Sequence, residues 1–138
     1  MKNLIIEVSG EGQGLFDVTD KVTGAMAGSG IEQGLANLFI QHTSASLTIQ
    51  ENADPKVLDD MQAFIQQLVP EDPSLYTHND EGPDDMPAHI KACLTQTHLT
   101  IPIVNSKLAL GTWQGIFLWE HRYARDRRNL VLSLQSFD

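Results

Sequence analysis

Two imidazoles and four carboxylates fall within twelve residues of this chain, in the run from His78 through Asp80, Glu81, Asp84 and Asp85 to His89. Neutral imidazole and ionised carboxylate are the usual protein ligands of Zn²⁺ and related divalent ions. The segment therefore reads as a candidate metal site, with Asp80, Asp84 or Asp85 placed to complete the coordination. Its spacing matches no compact signature such as HExxH, and a solvated acidic loop with incidental histidines is the competing reading. Asp85, His89 and Cys93 recur at intervals of four, which a helix would align. Pro87 reads as the start of that helix, leaving Asp85 just outside it, and Cys93 reads as a small buried residue.

Three further groups carry reactive or binding side chains. His42 ends an apolar strand face and precedes Thr43 and Ser44, whose hydroxyls suit a phosphate. Alone, His42 reads first as a core histidine bonded to a backbone carbonyl. Ser44 as a nucleophile beside His42 is disfavoured, because neighbours on a strand face opposite ways. Glu51 and Glu120 each close a largely apolar strand face. Desolvation there raises a carboxyl pKa and suits a general acid or base, unless an arginine pairs with it. Arg122, Arg125, Arg127 and Arg128 form the single basic run; it reads as a solvated turn, or as a place where Arg127 and Arg128 meet an anion bidentately. Trp113 and Trp119 read as core or subunit-interface residues. His98 and His121 read as surface or partly buried histidines without a constellation.

The elements that must position these groups follow from patterning. Leu4–Val8 and Leu15–Val18 read as strands across a Gly-rich turn, followed by a short helix capped by Thr19 or Asp20. Leu35–His42 alternates, with Ala36, Leu38, Ile40 and His42 on one face. The next strand places Ala45, Leu47, Ile49 and Glu51 on one face and Ser46, Thr48 and Gln50 on the other. Asp54-Pro55 is a helix start, with Val57, Leu58, Met61, Ile65 and Leu68 at helical spacing. A long polar loop spans Glu71 to Asp85, then a helix from Pro87 to Leu94. Thr100–Val104 and Lys107–Leu110 flank a turn at Asn105-Ser106. Thr112–Arg122 reads as a strand with Gln114, Ile116, Leu118 and Glu120 on one face, and Asn129–Gln135 as the last strand. Mostly short connections and alternating strands give a single α+β domain over 1–138, largely antiparallel, with two to three helices.

Composition narrows the partners. The chain has 138 residues and a net charge of −9, so phosphate backbones and anionic membranes are repelled and neither nucleic acid nor membrane is expected as a partner. Cys93 is the one cysteine, which excludes an internal disulfide and fits a reducing compartment. Glu7 breaks the N-terminal apolar run too early for a signal sequence, and no run reaches the length of a spanning helix. Cytoplasm is the expected location.

Four stretches carry a resemblance: HTSASLTIQENADP (42–55), YTHNDEGPDDMPAHIKACL (76–94), LTIPIVNSKLALGTWQGIFLWEHR (99–122) and RRNLVLSLQ (127–135). With them the chain resembles the YjbQ-like family, also called the secondary thiamine-phosphate synthase family, over nearly its whole length. The resemblance implies an α+β fold, a homotrimer, and a weak or secondary transferase activity. That reaction joins a hydroxymethylpyrimidine diphosphate to a thiazole phosphate and releases pyrophosphate. It also implies a divalent metal, Zn²⁺ with Mg²⁺ as the alternative, on His42, His78 and His89, which occupy the family's HTS, THxDEG and PAH positions. Glu51, Gln114, Glu120, Arg127 and Arg128 fall at family motif positions too; proton handling by Glu51 and Glu120 is inferred for them, and phosphorylated-ligand binding by Thr43, Ser44, Gln114, Arg127 and Arg128. A metal-dependent hydrolase of a small metabolite and a non-catalytic metal- or metabolite-binding module are the alternative functions.

Overall fold

Alternating burial sets the architecture. In the computed structural model, which describes residues 2–137, the elements run β1 (Lys2–Ser9), β2 (Gly14–Asp17), α1 (Thr19–Met26), β3 (Gly34–Ile40), β4 (Ala45–Glu51), α2 (Pro55–Leu68), a 3₁₀ turn (Pro73–Leu75), α3 (Asp85–Leu94), β5 (His98–Val104), β6 (Lys107–Leu108), β7 (Gln114–Glu120) and β8 (Arg127–Ser136). Five strands form one sheet in the order β1-β8-β3-β5-β6, and three form a second, β2-β7-β4. Every pairing is antiparallel. The chain is a single α+β domain, as its patterning predicts.

The large sheet buries one face. Ala36, Leu38 and Ile40 stand opposite Leu134, Leu132 and Leu130, and all six are buried. The small sheet meets this face through Ala45, Leu47, Ile116 and Leu118, and α1 adds Val22 and Met26. Removing these aliphatic side chains from water is the main term holding the sheets together. Gly34 is required where β3 and β8 approach: a Cβ there would lie 2.0 Å from the Gln135 carbonyl oxygen. The other face of the small sheet is also buried and carries Ser46, Trp119 and His121. It faces α2, where Trp119 Nε1 donates to Gln62 Oε1 at 2.8 Å.

Local signals fix the connections. The Asp54 side chain accepts from the Lys56 N–H at 3.0 Å, with Pro55 in the first turn of α2. Such a cap is worth about 1 kcal/mol. Asn105 and Ser106 both have positive φ, 50° and 65°, the backbone of a tight two-residue hairpin.

Several readings change. Helix α3 begins at Asp85, not Pro87. A first-turn residue has no intrahelical acceptor for its N–H, so proline is tolerated inside that turn. Asp85 and His89 consequently share a helix face. Cys93 is exposed, not buried. His121 is fully buried, and Trp113 is exposed while Trp119 is buried. Glu51 pairs with Gln114 and Glu120 with Ala45, so the two strand-end carboxylates lie at opposite ends of the small sheet. No helix among the described residues is long and apolar enough to cross a membrane.

Candidate metal centre

The site starts from one turn of α3. Asp85 Oδ2 lies 3.2 Å from His89 Nε2 on the next turn. It also lies 2.8 Å from His78 Nε2, which the loop before the helix brings in. Glu81 Oε2 is 3.1 Å from the same His78 nitrogen. One donor atom from each of His78, Glu81, Asp85 and His89 falls within 4.8 Å of the others. Asp85 is 3 % exposed, while His78 and Glu81 face solvent.

The loop is held by its own side chains. Asp72 accepts from the Ser74 N–H at 3.0 Å, and the Tyr76 hydroxyl donates to the Pro70 carbonyl at 2.7 Å. Asn79 Nδ2 donates to the Tyr76 carbonyl at 2.8 Å, bracketing His78. Gly82, at φ +101°, makes the reversal between Glu81 and Asp85 that an L side chain rarely adopts. Turn chemistry thus places His78 and Glu81 over the helix start.

Outer contacts orient the donors. His89 Nδ1 donates to the Thr43 carbonyl at 3.0 Å. A carbonyl only accepts, so Nδ1 carries a proton and the ring is turned with Nε2 toward Asp85. Arg122 NH1 donates to Asp85 Oδ1 at 2.6 Å and its Nε to Asp84 Oδ2 at 3.1 Å. Its NH2 reaches the Glu81 carbonyl at 3.0 Å. The Tyr123 N–H also bonds Asp84 Oδ2, at 2.8 Å. Asp84 is a bracket for the Arg122 turn.

Burial alone would push the Asp85 carboxyl up; the His78 hydrogen bond and the charges of His89 and Arg122 outweigh it and hold the pKa below the usual carboxylate value. His78 moves up, first through its bond to Asp85 and then through Glu81. Two imidazole nitrogens thus lie against the Asp85 oxygen, with a Glu81 oxygen within 4.8 Å. Either protons or one cation must lie among them, and a set of two imidazoles and two carboxylates fits a divalent ion. Metal-bound histidines ordinarily donate their other nitrogen to a carbonyl, which is the arrangement of His89 and Thr43.

Other sequence candidates lie elsewhere. His42 stands outside the four-residue group. Its Nε2 accepts from the Asn129 N–H at 2.9 Å, and Nδ1 lies 3.3 Å from Arg128 NH1. Burial first, then the Arg128 charge, lowers its pKa. The structure therefore brings His78 and His89 together and leaves His42 bonded to β8. His42 lines a cavity of about 230 Å³ with Thr43, His89, Ala92, Cys93 and Thr97. Asp80 is exposed and outside the group.

Arg127 and Arg128 do not act as a pair. Consecutive strand residues face opposite ways, so Arg127 is exposed, 3.6 Å from a Glu7 oxygen, while Arg128 points between the sheets. There Arg128 bonds Glu120 at 2.9 and 2.7 Å, and its NH2 lies 3.4 Å from the Ser44 carbonyl. Burial raises the Glu120 pKa against the pull of Arg128. Glu51 accepts from the Asp54 N–H at 3.1 Å and leads into α2. Along the seven-residue β4 it stands at the opposite end from Ala45, about 20 Å away at the usual rise per residue. Gln114 Oε1 is occupied by the Gly111 N–H at 2.7 Å. Sequence reading counted Glu81 in the candidate run but not among the residues completing the coordination, and missed Arg122. The four-residue interval already seen in Asp85, His89 and Cys93 extends back to Glu81 and was the available signal.

A family model described as "UPF0047 protein YjbQ-like" matches residues 4–136. The UPF0047 protein sll1880 of Synechocystis sp. is 51 % identical over 93 % of this chain and 87 % of that protein. The UPF0047 protein YjbQ of Salmonella typhimurium is 43 % identical over 94 % of each. Among solved structures, a hypothetical protein from Aeropyrum pernix superposes with a TM-score of 0.88 at 28 % identity, covering 99 % of both chains. An uncharacterised yjbq/upf0047 protein from Clostridium acetobutylicum gives 0.82 at 34 % identity, covering 98 % of this chain and all of its own.

Proposed function

The chain belongs to the YjbQ-like UPF0047 family, and we propose that it is a divalent-metal-dependent enzyme acting on a small phosphorylated metabolite. The observation that carries this is the convergence of His78 Nε2 and His89 Nε2 on Asp85 Oδ2, at 2.8 and 3.2 Å, with Thr43 holding the far nitrogen of His89. His78, Asp85 and His89 would hold the ion and leave a position open, and their nitrogen-rich set suits Zn²⁺ better than Mg²⁺. When bound, such an ion supplies Lewis acidity to a phosphoryl or carbonyl oxygen. Glu81 is exposed at this centre and is the carboxylate placed to move a proton there. Glu120, sealed against Arg128, and Glu51, at the far end of β4, are not.

The reaction we propose is the thiamine-phosphate synthase-type transfer suggested by the family resemblance, as a weak or secondary activity. We propose a cytoplasmic homotrimer as its setting. The lone cysteine supports the compartment, and the exposed Phe64, Leu68 and Leu94 on α2 and α3 support assembly. The deciding experiment supplies purified, metal-analysed protein with hydroxymethylpyrimidine diphosphate and thiazole phosphate, with Zn²⁺ or Mg²⁺ added. Thiamine phosphate formed by wild type and lost in His89→Ala supports the transfer. Turnover of phosphate esters alone replaces it with a hydrolase. Metal-loaded protein inert toward both is a binding module.

A further inference from the structure

The geometry points to Arg122 as a positioning residue that decides which divalent ion the centre prefers. This rests on the metal reading above and adds to it a cause for selectivity. Arg122 enters just after β7, from the small sheet, and grips the loop and helix that carry the donors. All three guanidinium nitrogens are used: NH1 on Asp85 Oδ1 at 2.6 Å, Nε on Asp84 Oδ2 at 3.1 Å, and NH2 on the Glu81 carbonyl at 3.0 Å. Its side chain is 20 % exposed, and Asp84 and Asp85 are buried beneath it. Charge-assisted bonds of this kind in a partly buried fork are strong and directional.

The consequence lies in Asp85. Its two oxygens have separate occupations. Oδ1 is held by Arg122, and only Oδ2 faces the histidines. A carboxylate restricted to one oxygen beside two imidazoles favours an ion content with few, nitrogen-rich ligands, which is Zn²⁺. Mn²⁺ prefers more oxygen donors and gains from a carboxylate free to offer both. Releasing Oδ1 should therefore shift the preference from Zn²⁺ toward Mn²⁺. The lost positive charge of Arg122 would strengthen binding of any cation. Both ions carry the same charge, so that effect cancels in the ratio of their affinities.

The test measures Zn²⁺ and Mn²⁺ affinities by chelator competition for wild type, Arg122→Gln and Arg122→Lys, with metal-free melting temperatures alongside. We expect the Zn²⁺-over-Mn²⁺ ratio to fall about tenfold or more in Arg122→Gln, the scale on which outer-shell partners act. Arg122→Lys should lie between it and wild type, since an ammonium keeps the charge without the fork; it carries the test alone if Arg122→Gln does not fold. A purely structural arginine would lower the melting temperature and weaken both ions equally. An unchanged ratio overturns the inference and leaves the metal reading standing. Wild type that takes up neither ion overturns both.

Discussion

The Thr43 carbonyl oxygen lies 3.0 Å from Nδ1 of His89, across 46 residues of sequence. This contact explains what the HTS segment does at the centre. It contributes a backbone acceptor that fixes the His89 ring, while the His42 side chain turns to β8. With metal bound, the His89 ring should be protonated at Nδ1 and not at Nε2. Nitrogen-15 spectra of the zinc-loaded protein read this directly, and the opposite tautomer would contradict the arrangement.

Metal content separates the histidines. Zinc-loaded, dialysed wild type should retain the ion. His78→Ala, Asp85→Asn and His89→Ala should each weaken binding more than about a hundredfold, beyond the roughly 10–100-fold that loss of an outer-shell partner costs. His42→Ala should keep the metal and lose stability instead, because the Asn129 N–H loses its acceptor. Elemental analysis beside urea melts distinguishes the two outcomes; a metal-free His42→Ala that folds normally would make His42 a ligand after all.

The two strand-end glutamates should behave differently. Glu120→Gln strands the Arg128 guanidinium between the sheets, where Arg128 is 4 % exposed. Breaking a buried pair on one side costs about 3–5 kcal/mol. Glu51→Gln keeps an amide oxygen to accept from the Asp54 N–H, losing only the charge, and should cost less than about 1 kcal/mol. Urea unfolding of both variants measures the contrast, and equal losses would refute it.

His121 predicts an acid-sensitive fold. Burial, helped by the Lys91 and Arg128 charges, lowers its pKa from 6.5 to about 3. In the unfolded chain it takes up a proton at the ordinary pKa, so its contribution is fully present above about pH 6.5 and drains away as pH falls toward 3. The slope is about 1.4 kcal/mol per pH unit. His121→Gln retains a polar partner for Ser46, which sits 2.9 Å from His121 Nε2, and removes the titration. Its stability between pH 6 and 4.5, about the middle of that window, should fall less steeply than that of wild type. Parallel curves would show that His121 is not the group responsible.

Residue order alone was enough for the α+β class, the antiparallel strands, the Asp54-Pro55 helix start and the Asn105-Ser106 hairpin. Each depends on local sterics, capping or alternation, which a few neighbouring residues specify. The same locality made the His78–His89 run visible as a candidate centre. It could not show that Pro87 sits inside the first turn of α3, which is what puts Asp85 and His89 on one face. Nor could it show that Arg122, some 37 residues on, would take one oxygen of Asp85. Burial is likewise a tertiary property: it sealed His121 and Glu120 and left Cys93 in the open. Partners distant in the chain are chosen by the packing of sheet, loop and helix. The tertiary structure therefore decided that Glu81 joins the cluster, that His42 stands apart from it, and that Thr43 and Arg122 hold the donors in place.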